Sequence, residues 1–418
     1  MDASPAQQHR TGFGSADRRC PVTSALVSER QTAGGNDLEL LRRLRRAVHR
    51  RPETAHREHR TAAYVERLLT RFGLHPFRPA PTSVAVHIGP PGIRPAVGFR
   101  ADLDALAVAE ETSAPYRSRV LGVMHACGHD GHTAAVLALA RRLAADPPRD
   151  HAVLLVFQQG EEAHPSGAPL VLQGLPAAMR PPMFYGLHLW PELPSGVIGL
   201  RDGPLLASVA GITVRVTGAE GRAHGTQAES GGVDALSAGV DLYRALPTVA
   251  AGRTLTENRR HALHVGRLTA GEQPHRVPLQ CELHGTLRAL SDADENAALA
   301  QLRQLTSVIA RRTGAAIDVE VERDIRPSLC NSASAVDLAA AACRATGVAL
   351  RTYPAQPLGV SDDFGWYLKD GAGAMLLVGC GNGSSPADLH TPLFDFDEEA
   401  LVPIVDVFTE LARHPFGH

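Results

Sequence analysis

Apolar residues along this chain follow two alternating repeats, and the changes between them mark its elements. Leu38, Leu40, Leu41, Leu44 and Val48 make a helical stripe through residues 37–50, which Pro52 ends. A second helical pattern covers 58–72, with Gly73 placed as its C-terminal stop. Short β-like runs follow at 83–88 and 95–100, parted by the turn Gly89-Pro90-Pro91-Gly92. An Ala/Leu-rich helix is expected over 132–145. The nearly all-apolar stretch 152–157 reads as a strand covered on both faces, as in a parallel sheet, and 182–189 repeats it.

Near residue 208 the pattern changes. A strand at 212–217, a helix at 233–246, strands at 261–268 and 280–290, a long helix at 292–312 and a strand at 316–322 follow in order. That β-α-β-β-α-β succession is the split-βαβ sandwich, and its length suits one small domain. The α/β alternation then resumes with a helix near 334–346, a strand at 374–378 and a helix at 398–413. The expected fold is α/β: a mostly parallel sheet with helices on both faces, built from 37–207 and 322–418. A ferredoxin-like α+β insert at 208–321 interrupts it. Residues 1–36, polar and without periodicity, read as a disordered leader.

Composition narrows the function classes. With 418 residues, 44% apolar and 21% charged, the chain is long enough for a large core and ordinary for a soluble globular protein. A formal charge of −2 gives no reason to expect nucleic acid or a charged membrane surface. No apolar run approaches the roughly 20 residues of a spanning helix, and the N-terminus lacks the apolar core of a secretory signal. The six cysteines follow no framework spacing, which points to reduced thiols in a cytoplasm.

Within that frame, Met124-His125-Ala126-Cys127-Gly128-His129-Asp130-Gly131-His132 packs a thiol, three imidazoles and a carboxylate into nine positions. Cys127 and His129, two apart, can both face one ion. Three further segments, each at a strand end or in a loop, add candidates: Glu161-Glu162, His188 and His390. Taken singly, the glutamate pair reads as a solvated loop and His188 as a core histidine. Their shared placement at the ends of one sheet makes them a site. Thiolate, imidazole and carboxylate together suit Zn²⁺, with Mn²⁺ and Co²⁺ also admitted. The number of donors fits two metals better than one. Adjacent residues on an extended chain point in opposite directions, so one glutamate can ligate while the other moves a proton. Which does which stays open from spacing alone.

The motifs Arg-Ala-Asp-Leu-Asp-Ala-Leu (100–106), Met-His-Ala-Cys-Gly-His-Asp-Gly-His-Thr-Ala (124–134), Glu-Glu (161–162), Gly-Leu-His (186–188) and Leu-His-Thr-Pro-Leu-Phe-Asp-Phe (389–396) carry a resemblance. Over roughly 37–413 the chain resembles the di-metal amidohydrolases of the aminoacylase and carboxypeptidase superfamily. Its motifs are most similar to those of the hippurate hydrolase and auxin-conjugate hydrolase branch. The resemblance implies two divalent metal ions held by Cys127, His129, Glu162, His188 and His390, with Glu161 as general base and proton shuttle. It makes Cys127 the counterpart of a bridging Asp in other relatives, and Asp102 the counterpart of a metal-binding His. Asp102, Asp104, Asp130 and His132 are then supports that orient the ligands. The insert becomes a lid and dimerisation domain whose His224 reaches a partner's active site to polarise the scissile carbonyl. Arg288 becomes a reader of a substrate carboxylate.

Departures from the family pattern at 163–168, 228–229, His275-Arg276 and 360–364 surround the expected substrate pocket, with His275 and Asp362 as candidate substrate contacts. The implied reaction is hydrolysis of the amide of an N-acyl amino acid or amino-acid conjugate, by a homodimer and with an unusual substrate. Alternatives are a dipeptidase, a biosynthetic N-deacylase of a non-amino-acid amine, or a binding protein that keeps the metals without turnover.

Overall fold

Alternating apolar strands and amphipathic helices assemble as layers in a computed structural model of the chain. It describes residues 37–220, 232–248, 255–256, 258–274, 276–381 and 387–417. Helices α1 (Asp37–His49) and α2 (His59–Arg71) lead into strands β1 (Pro76–Phe77), β2 (Val84–Ile88) and β3 (Pro95–Asp102). Then come α3 (His129–Ala145), β4 (Ala152–Gln158), α4 (Gly167–Gly174), β5 (Met183–Pro194), β6 (Val197–Leu200) and β7 (Gly203–Leu206). The insert contains β8 (Val209–Thr217), α5 (Ala235–Ala245), β9 (His261–Ala270), β10 (Gln280–Ala289), α6 (Asp292–Thr313) and β11 (Ala316–Arg326). The chain closes with β12 (Leu329–Asn331), α7 (Ala333–Thr346), β13 (Ala349–Thr352), α8 (Gly365–Leu368), β14 (Ala372–Gly381) and α9 (Leu401–Arg413).

The main sheet has the order β1-β2-β4-β3-β5-β14-β6-β13. Its centre, β4-β3-β5-β14, is parallel throughout, which requires crossover helices and hence cover on both faces. All seven residues of β4 are buried for that reason. Leu154 and Val156 meet Val171 of α4 and Phe364 beside α8. On the opposite face Phe99 rests on Phe408 of α9, ring centroids 4.7 Å apart, and the Tyr185 hydroxyl donates to the Ala335 carbonyl of α7. The expected α/β architecture is the one observed. In the insert, β11-β8-β10-β9 form an antiparallel sheet, and Ile212, Val214, Leu283 and Leu287 pack with Leu242 of α5 and Leu299 and Leu302 of α6.

Two differences from the sequence expectation bear on the site. Helix α3 starts at His129, three residues earlier than its apolar pattern indicates. Gly128, at φ +83°, turns the chain into the helix, while Gly131 sits inside the first turn because a Cβ there would lie 2.6 Å from the Phe396 ring. Strand β5 runs on past His188 to Pro194, where it still pairs with β14. The short strands β1, β6, β7, β12 and β13 were not expected, because two to four residues are too few to establish a period.

Candidate active site

Strand β3 lies between β4 and β5, so the chain leaves it toward one neighbour and returns on its other side. The carboxyl end of such a strand opens a crevice. Asp102 ends β3 opposite Gln158, the last residue of β4, and Glu161 and Glu162 follow in the next turn. Cys127 and His129 enter at the head of α3, and His188 comes from β5. His390 arrives from the loop after β14. Its amide donates to the Ala126 carbonyl (2.8 Å), and its backbone adopts φ +64°.

These residues converge. Cys127 Sγ lies 3.5 Å from His188 Nε2 and 3.3 Å from His390 Nε2. Glu162 Oε1 is 3.2 Å from His390 Nε2 and 3.9 Å from His129 Nε2. Two groups, Cys127/His129/His188 and Cys127/Glu162/His390, each bring their donor atoms within 4.8 Å of one another and share the thiol. His129 Nδ1 donates to the Asp104 carbonyl (2.9 Å) and His188 Nδ1 to the Leu189 carbonyl (2.8 Å). A carbonyl can only accept, so both rings carry the proton on Nδ1 and turn the Nε2 lone pair inward. His129 Nε2, Glu162 Oε1 and Asp104 Oδ1 are buried without hydrogen-bonded partners among the described residues. Buried lone pairs converging in this way fit cations.

The two glutamates sit in different fields. Burial, then Asp362, holds the Glu161 carboxyl well above its ordinary range, with Arg326 opposing. For Glu162 burial acts the same way, but His390 and His129 overcome it and bring the group down to about 2. Burial also pushes the Cys127 thiol up. Around them, Asp104 Oδ2 accepts from the Glu162 amide (2.8 Å) and Glu58 Oε1 from the Gly160 amide (2.7 Å). His132 Nδ1 is 2.7 Å from Asp102 Oδ1, while its Nε2 accepts from the Leu189 amide (3.0 Å). Arg100, fully buried, donates to Asp102 (2.6 Å) and Asp363 (2.7 Å).

The expected residues divide accordingly. Cys127, His129, Glu161, Glu162, His188 and His390 come together, and Asp102, Asp104 and His132 touch them or their backbone. Asp130 does not touch a candidate ligand. Its Oδ2 turns back to Arg45 (3.1 Å) and His49 (2.8 Å) on α1. Asp362 accepts from the Phe364 amide (2.7 Å) and faces Arg100 at 3.5 Å, and Arg288 donates to the Gly359 carbonyl (2.6 Å). His224 and His275 lie outside the described residues. Arg326 was not expected: its Nη1 is 3.4 Å from Glu161 Oε1, and its Nη2 donates to the Glu161 carbonyl. Glu58 was missed as well, since a charged residue at a helix start has an ordinary explanation.

A model of Peptidase family M20/M25/M40 matches residues 98–414. The chain belongs to this family. It is accordingly a hydrolase. An N-acetyl-L-cysteine deacetylase of Bacillus subtilis (strain 168) is 30% identical over 369 residues, 86% of this chain and 84% of that protein. An N-acetyldiaminopimelate deacetylase of Exiguobacterium sibiricum is 29% identical, covering 88% of this chain and 98% of that protein. A Rhodococcus jostii protein bearing a glutamate–cysteine ligase name is 33% identical over 88% of this chain, which spans only 46% of that relative's length. The Bacillus subtilis YXEP protein, a dinuclear metal binding peptidase of this family, superposes with TM-score 0.78 at 28% identity, covering 90% of this chain and 98% of that one.

Proposed function

We propose that this hydrolase cleaves the amide bond of an N-acyl amino acid or amino-acid conjugate, using two divalent cations held by Cys127, His129, Glu162, His188 and His390. The observation that carries this reading is the pair of donor groups sharing one thiol, with a buried second glutamate beside them. The deacetylases among its relatives support the substrate class, and the Bacillus subtilis dinuclear peptidase supports the metal count. When bound, such a cation pair supplies Lewis acidity to a carbonyl and lowers the pKa of a water.

Glu161 does the proton work. Buried beside the donor groups, its carboxylate is placed to take a proton from the attacking water and deliver it to the leaving amine nitrogen. Asp104 and Glu58, by accepting from the amides of Glu162 and Gly160, hold the turn that presents Glu161. Arg100 donates to both Asp102 and Asp363 and so holds the two carboxylates in place behind the site. The reading assigns to His224 the scissile carbonyl in a partner protomer's site, and to Arg288, Asp362 and His275 contacts with the substrate. The Cys127-Gly128-His129-Asp130 segment favours the hippurate and auxin-conjugate hydrolase branch. The free thiols of Cys127, Cys281, Cys330, Cys343 and Cys380 agree with a reducing cytoplasm. No helix among the described residues is long and apolar enough to cross a membrane.

The test is Glu161→Gln in protein reconstituted with Zn²⁺ or Mn²⁺. Loss of about 10²–10⁴-fold in kcat on an N-acyl amino acid, with metal content unchanged, is expected. Full turnover in that variant would end the proposal.

A further inference from the structure

Among the described residues, His56 and His390 are the non-glycine residues with a left-handed backbone, at φ +62° and +64°. That region is strained for a residue with a Cβ and persists where the surroundings over-determine it. For His390 the surroundings are the donor groups. His56 stands between α1 and α2, remote in sequence from every donor, so its strain has another cause.

The contacts of His56 converge on the turn that carries the two glutamates. The amides of His56 (2.8 Å) and Gly160 (2.7 Å) both donate to Glu58 Oε1, which sets the two residues side by side. The half-buried imidazole lies against the Gly160 backbone, so closely that a Cβ on Gly160 would fall 2.4 Å from the ring's Cε1. His56 Nε2 donates to the Pro165 carbonyl (2.8 Å), since a carbonyl only accepts. Nδ1 then accepts from Gln159 Nε2 (3.0 Å). That amide is oriented by the Thr82 backbone, whose N–H donates to Gln159 Oε1 (2.8 Å). One ring therefore spans from Gln159 to Pro165, with Glu161 and Glu162 between its two anchors. The Gly167 amide closes the same turn on the Gly160 carbonyl (2.9 Å).

Resting on the amidohydrolase reading above, we infer that His56 is a positioning residue for the reaction, a clasp that fixes where Glu161 and Glu162 stand against the donor groups. Gly160, at φ +61°, precedes Glu161 directly and has no side chain to limit its rotation. The ring packed on it supplies that limit from outside the turn. Both ring nitrogens are committed to the turn, so His56 makes and breaks no bond and acts through the two glutamates. Placement matters because a shift of about 1 Å in a reacting group can cost about 10²-fold in rate.

The test compares His56→Gly and His56→Gln with the wild-type full chain. Glycine removes the ring and relieves the left-handed backbone, so its Tm should not fall. Glutamine keeps an N–H donor for the Pro165 carbonyl. With Zn²⁺ or Mn²⁺ restored and N-acetyl-L-methionine as substrate, His56→Gly should lower kcat at least about tenfold while KM stays within about threefold. His56→Gln should recover part of that loss. In the metal-free proteins, amide exchange at Gly160 and Gly167 should quicken at least about tenfold in His56→Gly, with β4 and β5 unchanged. A native kcat in His56→Gly, or native exchange in its turn, overturns the inference and leaves the amidohydrolase reading standing. A lower Tm with faster exchange in β4 and β5 also overturns it, because the loss is then one of general structure. Wild-type protein inert toward N-acyl amino acids overturns the amidohydrolase reading, and with it the role of His56 in that reaction.

Discussion

Asp104 shows how one side chain can set two others. Its Oδ2 holds the Glu162 amide at 2.8 Å, its own carbonyl fixes the Nδ1 proton of His129, and its Oδ1 lies 3.4 Å from that ring. Removing such a support leaves the donors present but free to rotate, which typically weakens a metal site 10–100-fold. Asp104→Ala should therefore lower divalent-cation affinity by about that factor in a competition with a chelating dye. An unchanged affinity would show that His129 and Glu162 are held by other contacts. The identities of the donors were legible in the sequence because a thiol, imidazoles and carboxylates announce their chemistry. The direction each lone pair faces was not, since it depends on backbone carbonyls such as those of Asp104 and Leu189.

At the scale of elements, helix α1 is pinned to α3 by charge. Arg45 and His49 both reach Asp130, and His49 Nε2 lies 3.3 Å from Glu110. Burial alone would depress the His49 pKa, but Asp130 and Glu110 more than offset it and raise the group to about 9. A histidine raised in the folded state contributes stability that is fully present below its unfolded pKa near 6.5 and is lost as pH climbs through 9. The native protein should lose on the order of 3 kcal/mol across that window from this group. In His49→Gln the Tm should fall at neutral pH, and its decline between pH 6.5 and 9 should be shallower than in the native chain. Equal slopes would remove His49 from the explanation. The helical stripe of α1 was visible as Leu40, Leu41, Leu44 and Val48. That Arg45 and His49 also lie buried was not, because their partners Asp130, Glu110 and Asp395 come from distant segments.

For the whole molecule, the site joins segments from β3 to the loop after β14, so a bound cation pair would tie the fold together. Chelation should lower the Tm by several degrees, and added Zn²⁺ or Mn²⁺ should restore it, because ligands that bind only the native state stabilise it by mass action. A Tm indifferent to chelator would argue against a native metal site. Strand β9 is an edge of its sheet, with Leu268 exposed on it and Leu236 and Tyr243 exposed on α5. Light scattering should accordingly give a mass of about twice 44.4 kDa, as a dimer through the insert requires. A monomer would count against the proposed role of His224.

The sequence by itself determined the longer helices and strands, since the periods of 3.6 and 2 are local, but not the short strands β1, β6, β7, β12 and β13. It also determined the chemical kind of the site, since Cys127 and His129 lie two residues apart. Tertiary structure alone decided that Arg326 meets Glu161 across 165 residues, that Asp130 turns away from the donors toward α1, and that His56 spans the turn of the two glutamates. Such contacts depend on strand order and register, which arise from packing between segments far apart in the chain.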